Sequence, residues 1–346
     1  VGTWVPTAGS IPVDGSNFAR LMCLWGGRLV HSGILTDPTN WFMSAVGNSK
    51  NYDYAPATTV STQAVAGSNA DIGKVKDIIT ALMPINDDVL FFGGDSTIWK
   101  MAGDPMAGGQ LLNVSQMIGV AWGKAWCRGP EGTLYFFSSR GSVMAITAES
   151  APMPISSSIS DLIRDTDLTN YLVTMEYDDR SKQVYVFITK KASGASRHYV
   201  FDTRLQAWYA LEFTDGDMNP KTLHTYDGDD SDDRVMLIGS YDGYIRYFSE
   251  SADDDDGEDI QSEVWLGPIL TQNLDENLLK DALVDLSSDS GDVTWSVHCG
   301  RTAEEAYAAA AFDNGTWYAG RNPNTHIRAI SARVQALGML RRRAFG

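Results

Sequence analysis

The feature that most constrains the fold is a segment that recurs along the chain. Each copy begins with a polar turn, continues as a short run of β-branched and aromatic residues, and ends at another turn, a pattern typical of a β-strand. The six copies are residues 26–33, 87–94, 131–137, 181–187, 233–239 and 291–297. They lie roughly 45 to 60 residues apart, the length of a four-stranded propeller blade. The sequence therefore predicts an all-β fold, a β-propeller of about six antiparallel blades.

Several copies are followed at once by a second strand-like run, at residues 97–101, 142–146 and 244–248. Such pairs predict β-hairpins, and we expect the glycines between the runs to supply the positive φ that tight turns need. The repeat is degenerate, so a pair of β-sandwiches is the alternative architecture.

An acidic run at residues 253–259 divides the chain. Like charges repel, so this run predicts a solvated loop that does not fold on itself. We expect residues 1–250 to form the main body of the propeller, and residues 251–346 to form a closing blade or a small additional β region. Only two short helices are predicted, at residues 158–164 and from Thr302, which is placed to act as an N-cap.

Composition excludes several functional classes. The 10 Trp, 14 Tyr and 12 Phe suit the space between packed sheets. A formal charge of −17 disfavours wrapping nucleic acid or docking on an anionic membrane, since both need clustered cations. No apolar run reaches the ~20 residues of a membrane span, and none resembles a signal peptide. The three cysteines are odd in number, far apart in the sequence and in no CxxC motif. This predicts buried free thiols and assembly in a reducing cytoplasm.

Catalytic motifs are missing from the sequence. The five histidines never stand two or four residues apart, and neither a nucleophile elbow nor a phosphate loop is present. We therefore expect no catalytic residue, no cofactor and no enzymatic activity. Spacing along the chain would not reveal a site gathered from separate blades.

One acidic loop is a candidate metal site. Its carboxylates stand close enough to give several oxygen ligands to one Ca²⁺ ion. The candidate ligands are Asp227, Asp229, Asp230, Asp232 and Asp233. The twelfth-position glutamate of an EF-hand and its flanking helices are both missing, so a solvated turn is the competing interpretation.

Three consecutive cations, Arg341, Arg342 and Arg343, stand near the end of an otherwise acidic sequence. A solvated terminus is the plain interpretation. The functional one is an oligomer interface, in which the arginines bind an acidic patch on a neighbouring subunit of the same protein.

Three stretches resemble a known family, the propeller-bearing tail hub or nozzle (tail tubular) proteins of short-tailed bacteriophages. They are the segment from Arg28 through Trp41-Phe42-Met43-Ser44 to Asn51-Tyr52-Asp53, residues 77–105, and residues 118–141. The resemblance is clear over residues 20 to 150, whereas the remainder is similar only in its general sequence character. Some members of that family are longer and carry extra domains.

The resemblance implies a virion protein, assembled in the host cytoplasm into a ring, a hexamer by analogy, that contacts adaptor, fibre or needle proteins. Genomic DNA would pass through it without specific binding, since an acidic lumen repels the phosphates. A carbohydrate-binding or glycan-processing propeller is the alternative function, and a calcium-stabilised adhesion module is the third.

Overall fold

The computed structural model describes residues 6–10, 13–14, 17–192, 196–213, 215–230, 233–249, 254–259, 261–265, 291–300, 302–318 and 339–343. The chain divides into two compact units, Val1–Tyr247 and Phe248–Gly346. The predicted boundary stood at residue 250.

The first unit begins with short strands and a first four-stranded antiparallel sheet. The leading strands are β1 (Ala8–Gly9), β2 (Val13–Asp14) and β3 (Asn17–Phe18). Sheet 1 contains β4 (Leu21–Trp25), β5 (Arg28–Ile34) and β6 (Asp37–Met43), then β8 (Val65–Ala66), while β7 (Asn51–Tyr52) pairs with β1.

Four further antiparallel meanders follow in chain order. Sheet 2 contains β9 (Ile79–Pro84), β10 (Val89–Gly94), β11 (Ile98–Ala102) and β12 (Gln110–Ser115). Sheet 3 contains β13 (Trp126–Arg128), β14 (Thr133–Phe137), β15 (Val143–Thr147) and β16 (Met153–Pro154). Sheet 4 contains β17 (Tyr171–Asp178), β18 (Gln183–Lys190), β19 (Arg197–Asp202) and β20 (Ala207–Leu211). Sheet 5 contains β21 (Pro220–Tyr226), β22 (Val235–Ser240) and β23 (Ile245–Tyr247).

The five sheets have the strand order of propeller blades. In each, the strands follow one another as neighbours, the first strand is an edge, and the predicted repeat is the second strand. First strands contact each other in three of the four successive pairs of sheets: β4 with β9, β13 with β17, and β17 with β21. The fold class predicted from the repeats, an all-β protein of the β-propeller type, is therefore correct.

Successive sheets share buried cores. Trp41 of sheet 1 packs against Phe92 of sheet 2 with ring centroids 6.4 Å apart, and Tyr135 of sheet 3 meets Phe201 of sheet 4 at the same distance. In β14, Phe136 faces the core shared with sheet 2 while Phe137 faces the core shared with sheet 4. Burial on both faces explains why the repeated runs are apolar throughout and do not alternate.

The second unit contains a sheet of a different type. Its strands are β26 (Gln261–Trp265), β27 (Val293–Val297), β28 (Asp313–Trp317) and β29 (Met339–Arg343), in the spatial order β26-β29-β27-β28. The sixth predicted repeat forms β27. Because β29 lies between β26 and β27, this sheet does not have the meander order of sheets 2 to 5.

The acidic run departs from its prediction as a loop. The strands β24 (Asp254–Asp255) and β25 (Glu258–Asp259) form a short hairpin. Asp256 and Gly257 both adopt positive φ, which gives the type I′ turn favoured between antiparallel strands. The Gly257 N–H donates to Asp254 Oδ1 at 2.9 Å, so local hydrogen bonding stabilises the turn despite the repulsion between carboxylates.

The predicted helices are confirmed and short. A 3-10 turn (Ser157–Ile159) leads into α1 (Ser160–Ile163), and α2 (Ala303–Ala308) begins after Thr302, whose hydroxyl accepts the Glu305 N–H at 3.1 Å. Other 3-10 turns are Pro130–Gly132 and Gly216–Met218. None of the helices in these ranges is long and apolar enough to cross a bilayer.

The predicted hairpins are confirmed, but the reason for their glycines is only partly the predicted one. Gly141 and Gly243 adopt φ of 75° and 85°. Gly93 and Gly94 instead continue β10 in extended conformation. A Cβ on Gly93 would lie 2.6 Å from the Val120 side chain, and one on Gly94 would lie 2.5 Å from an Asp77 carboxylate oxygen. Close packing, and not turn geometry, requires glycine there.

All three cysteines are free, as predicted. Only Cys127 is fully buried, whereas Cys23 and Cys299 are half-buried, so the prediction of complete burial holds for one thiol.

Asp77 closes the β10–β11 hairpin. Its Oδ2 accepts the N–H groups of Ser96 and Thr97, both at 2.9 Å, and the Thr97 hydroxyl at 2.8 Å. Partial burial raises the pKa of Asp77, but these hydrogen bonds outweigh it and hold the pKa below its usual range. The carboxylate form is therefore tied to the folded hairpin.

We expect Asp77→Asn to cost about 1 kcal/mol of stability at pH 7, since hydrogen bonds to a charged group are strong but solvent screens this site. Because the folded pKa is depressed, the cost is fully present above the unfolded pKa of about 3.9 and disappears as the pH falls through the folded pKa. Urea denaturation of both proteins between pH 7 and pH 2 measures it. Asp87→Asn, in the exposed β9–β10 turn, is the control, and an equal pH dependence in both variants would refute the assignment.

Candidate functional site

Sheets 1 and 5 stand at the two ends of the sheet stack of the first unit, and each has exposed apolar side chains on its outward side. In β4, Leu21 and Trp25 face the core shared with sheet 2, so Met22 and Leu24 lie on the opposite side. These two side chains are 66% and 70% exposed. Met22 lies opposite His31 in the strand register, but Tyr52 packs on His31, with its hydroxyl 2.8 Å from Nε2, so the exposed apolar part of this face belongs to β4. We call this surface the sheet-1 end face.

The sheet-5 end face is its counterpart. Leu223, Met236 and Ile238 pack toward sheet 4. The alternate positions point the other way, and they include Ile245 and Tyr247 on the edge strand β23, which are 73% and 58% exposed. Sheet 5 has three strands where sheets 1 to 4 have four, so the outer edge of β23 carries no strand partner among the described residues. Exposed apolar groups next to a free strand edge favour protein contact.

A cavity of about 560 Å³ opens where sheets 4 and 5 end. Its wall comes from three separate segments: the residues leading into β19, the loop between β20 and β21, and the β22–β23 turn. His198, at the start of β19, is only 3% exposed and lies edge-on to Phe187 and Phe213. Glu212, Asp215 and Asp217 line the cavity from its exposed side.

Hydrogen bonds fix the His198 ring. The Asn219 amide donates through Nδ2 to the Gly216 carbonyl at 2.6 Å, which turns its Oδ1 toward His198 Nε2, also at 2.6 Å. Nε2 therefore carries the proton, and Nδ1 presents a lone pair. Nδ1 is buried with no hydrogen-bond partner among the described residues. Burial lowers the pKa of His198 more than the bond to Asn219 raises it, so the ring is neutral at neutral pH.

The sequence alone did not identify this cavity. Its residues are up to 49 positions apart, from Ala192 to Tyr241, and none belongs to a motif. The only local signal is the turn Asp215-Gly216-Asp217, in which Asp215 Oδ1 accepts the Asp217 N–H at 3.0 Å.

A second cavity, of about 600 Å³, lies in the second unit beside β27 and β28. His298 lines it with both ring nitrogens engaged, Nδ1 with the Ala309 carbonyl at 2.8 Å and Nε2 with the Ser296 hydroxyl at 3.0 Å. Such a ring is held as part of the fold.

The structure does not gather the predicted calcium ligands. Asp227 pairs with Arg234 at 2.9 Å, and Asp229, Asp230 and Asp233 are exposed, while Asp232 lies outside the described residues. In the described ranges, no group of three or more His, Cys, Asp or Glu side chains is arranged to hold a metal ion. The calcium site stays a prediction.

Arg341, Arg342 and Arg343 lie on β29, an inner strand of its sheet. Arg341 is in register with Glu263 on one side and with Thr294 on the other. Both backbone edges of this segment are thus occupied by strands of the same chain, and its assignment to a subunit interface stays a prediction.

No protein-family model matches the chain, and no curated protein matches it. Solved structures that match include a quinoprotein alcohol dehydrogenase-like protein from Bacteroides thetaiotaomicron (14% identity, TM-score 0.35, 54% of this chain and 44% of that one). Another is the tricorn protease (15% identity, TM-score 0.38, 65% of this chain and 19% of that one). A third is the GH74 enzyme of Niastella koreensis (12% identity, TM-score 0.28, 58% of this chain and 38% of that one). The chain spans less than half of each of these proteins, and likeness at this level says nothing about its activity.

Proposed function

We propose that this chain is a structural subunit of a bacteriophage tail, of the hub or nozzle type, and that copies of it join head to tail into a ring. The observation that carries the proposal is the pair of exposed apolar end faces on one sheet stack. The formal charge of −17 keeps the protein soluble, and exposed apolar faces do not contribute to that solubility. Their natural use is contact with another protein.

The two end faces differ in composition, and this favours a ring. A contact between two different patches is heterologous, so each copy offers one patch to each neighbour and the assembly closes when the rotation permits. A self-complementary patch would give a twofold dimer. The ring is the assembly that the resemblance to phage tail proteins implies.

The residues that carry the resemblance support the proposal in a second way, because their contacts stabilise the fold. Trp41 is a core residue, Gly93 allows close packing and Asp77 closes a hairpin. A segment whose distinctive residues are architectural suits a protein whose task is to hold a shape.

We expect Leu24→Glu and Ile245→Glu each to abolish self-association of the purified protein, because each places a charge in a contact that must be desolvated. Native mass spectrometry measures the assemblies. A mixture of the two variants should give a dimer and nothing larger, since only one intact pair of faces is then available. Leu205→Glu, at a 75% exposed residue in the β19–β20 turn, is the matched control and should still assemble.

A wild-type protein that stays monomeric at high concentration would contradict the ring, as would a twofold dimer that both variants retain. Cryo-EM of phage particles tests the tail assignment separately, because a ring of this chain elsewhere in the virion would contradict only that part.

The exposed tyrosines at the sheet-5 end favour a second candidate, a glycan-binding propeller. Tyr244 and Tyr247 are 67% and 58% exposed, and aromatic rings stack on sugars. A monomer that binds glycans in an array, and loses that binding in Tyr247→Ala, would replace the tail proposal.

A further inference from the structure

The cavity of the second unit contains a serine and a histidine in contact. Ser296 lies on β27 and His298 follows just beyond the end of that strand, so the two side chains, two positions apart, lie on the same face of the sheet. The Ser296 hydroxyl is 3.0 Å from His298 Nε2. Both residues line the cavity and are partly exposed, so they present surface to a molecule that enters it.

A backbone carbonyl fixes the tautomer of His298. Nδ1 lies 2.8 Å from the Ala309 oxygen, which can only accept a hydrogen bond, so Nδ1 carries the proton. In the neutral ring Nε2 is then left with a lone pair, and the Ser296 hydroxyl donates to it. The hydrogen bonds that hold His298 in the fold therefore also place a base beside a hydroxyl group, which is the arrangement that activates a serine nucleophile.

Asn314 lies across from Ser296. The two residues are directly paired in the antiparallel register of β27 and β28, so their side chains share a face with Cβ atoms about 4.5–5.5 Å apart. Asn314 also lines the cavity. A side-chain amide can donate to the oxyanion that forms when a carbonyl group is attacked. One face of the sheet thus holds a nucleophile, a base and an amide donor.

We propose that this cavity is an esterase site that cleaves short acyl esters, with Ser296 as the nucleophile, His298 as the general base and Asn314 as the oxyanion donor. The proposal goes beyond the tail function and uses only residues of the second unit, so it stands whether or not the chain forms a ring. It departs from the sequence expectation of no catalytic residue, because the run Ser296-Val297-His298 matches no catalytic motif.

The reaction needs only the ester and water. The Ser296 oxygen attacks the ester carbon while its proton passes to His298 Nε2. The bond to the alcohol oxygen then breaks, and the alcohol leaves with the proton from Nε2, so that an acyl-serine remains. Water attacks the acyl group and gives a proton to Nε2. The bond to the Ser296 oxygen breaks, that oxygen takes the proton back, and the carboxylic acid is released.

Two features select a short ester as the substrate. Most of the side chains that line the cavity are polar, Thr294 and Thr316 among them, so a long acyl chain would find little apolar surface. The group that orients His298 is a carbonyl, which stabilises an imidazolium less than a carboxylate does. Such a site suits the cleavage of an ester, which is easier than the cleavage of an amide.

The first test is covalent labelling of the full chain with a fluorophosphonate probe, which reacts with activated serine hydroxyls. We expect the label on Ser296, as located by mass spectrometry of tryptic peptides. Ser296→Ala should take up no label. Ser49→Ala, which removes an exposed serine from the connection between β6 and β7, is the matched control and should be labelled as the wild type is.

The second test is the hydrolysis of phenyl acetate. Ser296→Ala and His298→Gln should each lower kcat/KM by about 100-fold. Asn314→Ala should lower kcat by about 100-fold with little change in KM, since the oxyanion forms only in the transition state. Phenyl octanoate should be cleaved about tenfold more slowly than phenyl acetate, and circular dichroism shows whether each variant is folded.

The proposal is overturned if the probe labels another serine or none, or if folded Ser296→Ala hydrolyses phenyl acetate as fast as the wild type. Cleavage of the octanoate at the same rate as the acetate would overturn the assignment to short esters. If Ser296→Ala failed to fold, the position of the label in the wild-type protein would decide, because that measurement needs no substitution.

Discussion

Replacing Arg28 with methionine should lower the free energy of unfolding by about 3–5 kcal/mol, because it removes a fully buried guanidinium that pairs with the partly buried Asp104 and donates to three backbone carbonyls. The Arg28 side chain is completely shielded from solvent, and its Nη2 lies 2.9 Å from Asp104 Oδ2. The same guanidinium donates to the Ser44 and Gln63 carbonyls through Nη1 and to the Ser61 carbonyl through Nη2. Methionine leaves these buried acceptors without a donor.

Equilibrium urea denaturation followed by circular dichroism measures this effect. Arg20→Met, at an exposed position one strand earlier, is the matched control and should change stability by less than about 0.5 kcal/mol. Arg28→Lys should fall between the two, since lysine keeps the charge but cannot serve three carbonyls and a carboxylate together. A loss below 1 kcal/mol in Arg28→Met would show that the network contributes little.

Trp41→Ala should cost a similar amount, about 3–5 kcal/mol, for a different reason. Trp41 has no exposed surface, and it fills the core between sheets 1 and 2 against Phe92. Its Nε1 also donates to the Gly73 carbonyl at 3.1 Å. Alanine would leave a cavity where the first two blades meet and an unpaired carbonyl beside it.

Trp122→Ala removes the same side chain from a site that is 43% exposed, and we expect a much smaller loss. Trp41→Phe should recover part of the stability, because a phenyl ring refills most of the volume but not the hydrogen bond. If the two tryptophans proved equally costly, burial between the blades would not be what makes Trp41 important.

Both predictions concern residues within the first stretch on which the resemblance rests, and they show which features could be predicted from the sequence. Arg28 stands in the predicted strand at residues 26–33, whereas Trp41 lies outside the predicted strand repeats and belongs only to a stretch that carries the resemblance. Asp104, the partner of Arg28, is 76 residues away in the β11–β12 connection. Local pattern placed Arg28 on a strand, but its pairing with a residue so distant in the chain depends on how sheets 1 and 2 meet.

The glycines show the same limit. Gly141 and Gly243 occupy turns, and local turn chemistry predicted their positive φ correctly. Gly93 looks the same in sequence, yet its constraint comes from Val120 on a later segment. A local sequence pattern predicts the backbone conformation of a glycine, but it does not predict contact with a residue 27 positions later in the chain.

The candidate site lay beyond sequence reasoning altogether. The spacing of His198 from the other histidines along the sequence matches no catalytic or metal-binding motif. That spacing does not predict that its ring contacts Asn219, Phe213 and Phe187. Similarly, Met22 and Leu24 alternate with buried residues as in any strand. Only the position of sheet 1 at the end of the stack leaves these two side chains exposed.

The sequence by itself determined the strand repeats, the hairpins, the all-β fold and the free cysteines, because each follows from short-range preferences of backbone and side chain. The tertiary structure alone decided which apolar side chains stay exposed, which residues line the cavity beside His198, and where Arg341, Arg342 and Arg343 lie in a sheet. Those outcomes depend on contacts between segments distant in the chain, and the energy of such contacts appears only once the sheets are packed.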